Sequence, residues 1–409
     1  MKQRKTIPFS KREIEALAKR FPTPFYIYDA EGIRRAARKF IGAFSWNPGF
    51  KEFFAIKATP TPAILKLLRK EGCGADCSSL PELLLAEGAG MRGESVIFTS
   101  NNTPAQEFVA AKKLGAIINL DDIGHIAFLE KHAGLPALLS FRYNPGRTHS
   151  ESKFIGKPEE TKFGMTRKQL FDSYAKAKAK GVKRFGLHMM TASNELNPRH
   201  FIETATTLFD IALELRKKLG IALEFVNLGG GIGIPYRPGE KEMDLQKLSR
   251  SIRALYEKRR LAPLKLQMEC GRYITGPHGY LVSRVLHMKH TYKRFAGIDA
   301  TMSSLMRPGM YGAYHHLSVL GKEKRRARIT YDVVGSLCEN NDKFATDRKL
   351  PRLEVDDLVV VHDAGAHGHT MGFNYNGKLR PAEFLLQNGR FTMIRRAQTI
   401  DDYFATLNF

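Results

Sequence analysis

A lysine closes the apolar run Glu52-Phe53-Phe54-Ala55-Ile56-Lys57-Ala58. If its amine is desolvated, its pKa falls and it becomes a nucleophile able to form a Schiff base with an aldehyde. The plainer reading is a strand-end lysine reaching out to solvent. Further along the chain lies Asn227-Leu228-Gly229-Gly230-Gly231-Ile232-Gly233. Consecutive glycines let backbone N–H groups approach and cradle a phosphate. They also make a flexible turn, and their spacing matches neither the Walker loop nor the dinucleotide fingerprint. Glu269-Cys270-Gly271-Arg272 sets a carboxylate and a guanidinium three residues apart. The pair can face opposite ends of one small ring, with the acid on a pyridinium N–H and the arginine on phosphate or carboxylate, or it can form a local ion pair. Two later stretches are Met306-Arg307-Pro308-Gly309-Met310-Tyr311 and Gly335-Ser336-Leu337-Cys338-Glu339-Asn340-Asn341-Asp342. Cys338 lies in a polar, acidic loop, which suits a proton donor better than a core filler. Glu339 beside it has the charge to recognise an ammonium group. Each stretch also reads as an ordinary turn.

These residues need elements to position them. Strand-like runs fall at 52–57, 74–78, 95–99, 116–120, 137–143, 184–190, 223–228 and 264–269. Between most of them lie stretches with helical spacing, including 62–69, 81–87, 201–219 and 245–260, and a helix at 31–44 precedes the first strand. Eight such units predict a parallel (β/α)8 barrel over residues 30–275. Chemistry in that fold sits at the C-terminal strand ends. Those ends carry Lys57, Asp76, Asn101 and Asn102, Asp121, Arg142, His188, Gly229 to Gly231, and Glu269 with Arg272. The glycine run follows the seventh strand, where phosphate sites recur in barrels. Beyond residue 276 helical periodicity fades, and 280–289, 329–334, 357–362 and 383–386 read as strands. A second, all-β domain, a sandwich or small barrel, is expected over 276–409 together with 1–29. The strand-like Phe25-Tyr26-Ile27-Tyr28 would bring the N-terminus into it.

The chain has 409 residues, 43% of them hydrophobic, enough for two domains and a large core. No apolar run approaches the roughly 20 residues that span a bilayer. The basic start, Met1 to Lys5, has no apolar stretch behind it, so no signal peptide is expected. Four scattered cysteines (Cys73, Cys77, Cys270 and Cys338) make no disulfide framework, and a reducing cytoplasm fits them. Cys73 and Cys77 lack a second Cys/His pair, so no metal site is expected. The net charge of +24 is spread along the chain. Its densest cluster, from Lys322 to Arg328, reads as a solvated loop between strands. With no nucleic-acid motif, neither nucleic acid nor membrane is an expected partner. A basic field would favour an anionic cofactor or substrate.

Taken in order, the motifs resemble the fold-type III pyridoxal-phosphate decarboxylases, and within them the diaminopimelate decarboxylases. The resemblance runs from about Phe21 to the C-terminal region. Its carriers are Phe54-Ala55-Ile56-Lys57-Ala58, Gly74-Ala75-Asp76-Cys77-Ser78, Ser100-Asn101-Asn102, Lys162-Phe163-Gly164, Leu228-Gly229-Gly230-Gly231, Glu269-Cys270-Gly271-Arg272, Arg307-Pro308-Gly309-Met310-Tyr311, Cys338-Glu339-Asn340-Asn341-Asp342 and Asn374-Tyr375-Asn376.

The resemblance implies roles. Lys57 matches the lysine that holds pyridoxal 5'-phosphate, and Glu269 matches the partner of the pyridine nitrogen. Ser193, Gly230, Gly231 and Arg272 match the surroundings of the phosphate; Asp76 and His188 complete the cofactor side. Arg272, Arg307, Tyr311, Glu339 and His367 match substrate positions. Cys338 matches the proton-returning cysteine, which in this family arrives from the other subunit of a homodimer. Where the family reads Gly-Leu-His-x-His-Ile-Gly-Ser, this chain has Gly186-Leu187-His188-Met189-Met190-Thr191-Ala192-Ser193. His367 stands where the family has a tyrosine, and Cys270 where it has a proline, which marks a divergent branch. The implied reaction is decarboxylation of meso-2,6-diaminopimelate to L-lysine. The alternatives are decarboxylation of D-ornithine, D-lysine, ornithine or carboxynorspermidine, racemisation on the same scaffold, or a non-catalytic cofactor- or nucleic-acid-binding role.

Overall fold

The computed structural model describes residues 5–148 and 156–408. Met1 to Arg4 of the basic N-terminus lie outside the described residues. The chain divides into two compact units, one of residues 34–234 and 241–273, the other of residues 1–33, 235–240 and 274–409.

The first strand, β1 (Phe25–Asp29), belongs to the second unit. The first unit is a closed barrel of eight parallel strands. These are β2 (Lys51–Ala55), β3 (Gly74–Cys77), β4 (Val96–Ser100), β5 (Ile117–Leu120), β6 (Leu138–Arg142), β7 (Arg184–His188), β8 (Phe225–Asn227) and β9 (Lys265–Met268). They fall on the eight runs expected from sequence, each trimmed at one or both ends. The reason the runs were legible is that both faces of a barrel strand are buried, so the strands read as near-continuous apolar stretches. Phe53, Ile97, Ile117, Leu138 and Phe225 form one buried apolar cluster. Burying each such side chain is worth roughly 1.5–3 kcal/mol. Gly186 is needed there, because a Cβ on it would lie 2.1 Å from the Phe225 ring.

The outer helices carry their own start and stop signals. Pro198–Leu219 begins behind Asn197, whose side chain accepts the Arg199 N–H, and ends at Gly220 in the left-handed region. Arg167–Ala179 opens with a reciprocal Thr166/Gln169 capping box. The ring closes where β2 meets β9, a short seam with Lys51 opposite Gln267 and Glu52 opposite Met268.

The second unit is built on a mixed nine-stranded sheet. Its later strands are β10 (Gly279–His290), β11 (Arg294–Ile298), β12 (Leu317–Val319), β13 (Ile329–Val334), β14 (Lys343–Leu350), β15 (Leu358–Val361), β16 (Ala382–Gln387) and β17 (Arg390–Arg395). The order is β14-β13-β11-β10-β1-β16-β17, with β15 pairing both β10 and β12. β1 lies antiparallel to β10 and parallel to β16. Phe9, Phe25, Ile27, Tyr280, Val282, Val360 and Phe384 make its core. Four strands, β11, β12, β14 and β17, were not visible in the sequence. β14 (KFATDRKL) and β17 (RFTMIR) carry charges at much of their length, and β12 has three residues.

One expectation fails in the basic loop. Lys322 is not solvated: its side chain is 10% exposed, with Asp357 Oδ2 at 2.7 Å, Glu354 Oε2 at 3.0 Å and the Arg352 carbonyl at 3.0 Å. Two acids and a carbonyl supply the ligands that make burial of its charge tolerable. Among the described residues no helix is long and apolar enough to cross a membrane.

Candidate active site

Lys57 sits in a 3-10 turn, Ile56–Ala58, directly after β2. Its Nζ lies 3.5 Å from Asp76 Oδ2 at the end of the adjacent β3, and its side chain is 55% exposed. The expected desolvated amine with a lowered pKa is therefore corrected. The Asp76 carboxylate holds the lysine above its usual range, against the opposing effect of burial, with Glu269 and Glu82 adding to it. Asp76 is itself buried. Burial, helped by the charge on Glu269, pushes its carboxyl up to about 7, while Lys57 pulls the other way. Its Oδ1 has no hydrogen-bond partner.

Glu269 follows β9 and is buried. Burial works against its charge, yet His188, Lys57 and Asn227 together hold its carboxyl below the usual range. Asn227 Nδ2 donates to Oε1 at 2.7 Å, and His188 Nε2 lies 3.3 Å from Oε2. His188 Nδ1 is buried without a partner. Asn227 also uses its Oδ1 to accept the Gly229 N–H at 2.9 Å. One amide thus fixes both the carboxylate and the start of the glycine run. Sequence reasoning gave Asn227 no role; its place as the last residue of β8, immediately before Leu228-Gly229, was the available signal.

The glycine run has no room for side chains. A Cβ on Gly230 would lie 2.0 Å from the Glu269 carbonyl oxygen, and one on Gly231 2.4 Å from that of Ala192. Gly231 has φ +98°, a region closed to most L-residues. The segment carrying Ser193 runs alongside it. Glu195 N–H donates to the Gly231 carbonyl at 2.8 Å, Gly233 N–H to the Glu195 carbonyl at 2.9 Å, and Ile234 N–H to Asn194 Oδ1 at 3.1 Å. The structure therefore brings Ser193 beside Gly230 and Gly231. Arg272 lies in the short helix Gly271–Thr275 that follows β9. A Cβ on Gly271 would meet that of Ala58 at 2.8 Å, so this helix packs on the turn that carries Lys57. Elsewhere on the rim, Asp121 and Arg142 form a buried pair at 3.2 Å, and the Arg142 guanidinium lies 4.5 Å over the Phe163 ring. Asp121 also accepts the Gly164 N–H at 3.1 Å. The Lys162-Phe163-Gly164 motif is thereby tied to the barrel.

In the second unit Arg307 is buried, its guanidinium 5.1 Å over the Tyr236 ring. Tyr311 closes the helix Arg307–Tyr311 and is exposed. Cys338 and Glu339 are exposed as well. The Cys338 N–H donates to Asn376 Oδ1 at 2.8 Å, which explains why the Asn374-Tyr375-Asn376 motif accompanies the cysteine loop. Asp342 braces the loop by accepting the Met302 N–H at 2.6 Å and the Leu337 N–H at 2.8 Å. Asn341 Nδ2 donates to the Gly309 carbonyl at 3.2 Å, so the cysteine loop and the Arg307 helix are held together. His367 has φ +55° and is half-buried.

An eightfold barrel with an amine, a buried ionised carboxylate and a glycine cradle on one rim defines a barrel enzyme built for a small phosphorylated ring. The donor set fits pyridoxal phosphate: an amine for the aldehyde, an acid for the ring nitrogen and backbone N–H groups for the phosphate. Residues 31–276 match the family described as pyridoxal-dependent decarboxylase, pyridoxal binding domain, and the chain belongs to that family. It is an amino-acid decarboxylase whose cofactor is pyridoxal phosphate. The chain is 45% identical to Protein TabA of Pseudomonas amygdali pv. tabaci over 392 residues, 95% of this chain and 92% of that one. It is 35% identical to the diaminopimelate decarboxylase of Methanothermobacter thermautotrophicus over 393 residues, covering 94% and 92%. The crystal structure of diaminopimelate decarboxylase from Helicobacter pylori complexed with L-lysine superposes with a TM-score of 0.89 at 30% identity, covering 96% of this chain and 98% of that chain.

Proposed function

We propose that the chain decarboxylates an amino acid with a second charged head, and that this substrate is meso-2,6-diaminopimelate, giving L-lysine. The observation that carries the reading is the Asn341–Gly309 bond, which groups Arg307 and Tyr311 with Cys338 and Glu339. A guanidinium for a distal carboxylate and an acid for a distal ammonium are what a zwitterionic tail needs. Relatives 30–35% identical that are named diaminopimelate decarboxylase support it.

In this reading Lys57 contributes the amine that anchors the cofactor, with Asp76 as its counter-ion. Ser193, Gly230, Gly231 and Arg272 hold the phosphate. Glu269, oriented by His188 and Asn227, keeps a proton on the ring nitrogen. When bound, pyridoxal phosphate supplies the electron sink that makes loss of carbon dioxide possible. Arg272, Arg307, Tyr311, Glu339 and His367 orient the substrate, and the Cys338 thiol returns a proton to the α-carbon. The working form is a cytoplasmic homodimer whose cysteine loop serves the other subunit.

The departures at Met190 and His367 favour one second reading, decarboxylation of a different amino acid such as D-ornithine or D-lysine. The test is to incubate the purified holoenzyme with each candidate and measure carbon dioxide. We expect the highest kcat/KM on meso-diaminopimelate. Release from ornithine or D-lysine with none from diaminopimelate would overturn the assignment.

A further inference from the structure

The inference rests on the cofactor reading above. The Gly230 N–H, a donor of the phosphate cradle, already has a partner in this chain: Met190 Sδ, at 3.1 Å. The sulfur sits so close to the run that a Cβ on Gly229 would lie 2.9 Å from it. A thioether is a weak acceptor, whereas a phosphate oxygen is a charged and much stronger one. One N–H cannot serve both at full strength.

The backbone around Met190 is pinned. The preceding Met189 N–H donates to the Asn227 carbonyl at 3.1 Å, and on the other side Thr191 Oγ1 lies 2.9 Å from His200 Nε2, both side chains buried. The Met190 side chain is the movable part. It is half-buried and borders an open cleft that Tyr143, Asn144 and Phe163 also line. An unbranched thioether with three rotatable bonds adapts to such a space and makes favourable contacts with aromatic rings.

We propose that Met190 is a displaceable stopper in the phosphate cradle. It satisfies the Gly230 N–H while the cradle is empty, and turns into the Tyr143/Phe163 cleft when a phosphate group takes that N–H. Met190 is thus a positioning residue that makes cofactor capture depend on the phosphate group. Pyridoxal without its phosphate has nothing with which to displace the sulfur.

The test uses full-length apoprotein carrying 13C in its methionine methyl groups. The Met190 resonance is identified by its loss in Met190→Leu. Inorganic phosphate, pyridoxal and pyridoxal phosphate are titrated in turn, and binding of the two ring compounds is followed separately by their absorbance. We expect phosphate and pyridoxal phosphate to move the Met190 methyl resonance, pyridoxal to leave it in place, and phosphate to move it equally in Lys57→Ala. Met190→Leu should bind inorganic phosphate about fivefold more tightly, the net worth of one ordinary hydrogen bond. An unmoved Met190 resonance while the absorbance reports bound pyridoxal phosphate overturns the stopper and leaves the cofactor reading standing. A shift with pyridoxal as large as with pyridoxal phosphate also overturns it. Failure of pyridoxal phosphate to bind at all removes both.

Discussion

The Glu52 carboxylate accepts a 2.6 Å hydrogen bond from the backbone N–H of Cys270 and so extends the seam between β2 and β9 beyond its backbone pairing. This bond joins the strand that leads to Lys57 to the segment that carries Glu269. Burial pushes the Glu52 carboxyl well above its ordinary range, and Oε2 has no partner. Glu52→Ala, which orphans the Cys270 N–H, should cost about 1–3 kcal/mol in urea unfolding. Glu52→Gln keeps an acceptor without the charge. A carboxyl raised in the folded state stabilises at acid pH and loses that contribution as pH rises. Glu52→Gln should therefore gain on wild type between about pH 5 and about pH 8. Equal losses for the two variants would show that the acceptor is not what matters.

Asp76 is the largest cause of the raised Lys57 pKa. Asp76→Asn should lower that pKa by about one to three units, the usual effect of an opposite charge at this range. The pH above which apoprotein captures pyridoxal phosphate, read from its visible absorbance, should fall accordingly. The carboxyl of Asp76, raised to about 7, makes wild-type stability drop as pH climbs from about 4 towards 7, and the variant should lack that drop. An unchanged capture profile would detach Asp76 from the amine.

Glu269 is held ionised by His188, Lys57 and Asn227 despite its burial. Glu269→Gln preserves shape and loses the charge. We expect cofactor still to bind and kcat to fall about 100-fold, the scale of removing one preorganised electrostatic partner. Wild-type turnover in this variant would exclude the acid from the ring nitrogen.

Lys322 and Arg325 belong to one basic run but should behave differently. Lys322→Met leaves Asp357, whose side chain is 9% exposed, without its cation and should destabilise by about 3 kcal/mol. Arg325→Ala alters an exposed position and should stay within about 0.5 kcal/mol. Urea midpoints measure both, and equal effects would contradict the burial of Lys322.

Much of the barrel was legible because burial on both strand faces writes itself into continuous apolar runs, as at Phe53, Phe54 and Ala55. In the second unit only part was. β14 and β17 hold their places through neighbours distant in sequence, and their charged residues give no strong period. Candidate residues were readable as types at strand ends. Their electrostatics were not. Nothing near Lys57 in sequence announces that Asp76, on the next strand, raises its pKa rather than leaving burial to lower it.

By itself the sequence determined the eightfold repeat, the rim positions of Lys57, Asp76, His188 and Glu269, and the glycine run that follows β8. All of these are local: they depend on which residue types stand at the end of which apolar run. Tertiary structure alone decided that Asn227 serves both Glu269 and Gly229, that Lys322 is buried among acids, and that Met190 sulfur meets the Gly230 N–H. Those are pairings through space, set by how strands and loops close on one another, and residue order does not encode their distances.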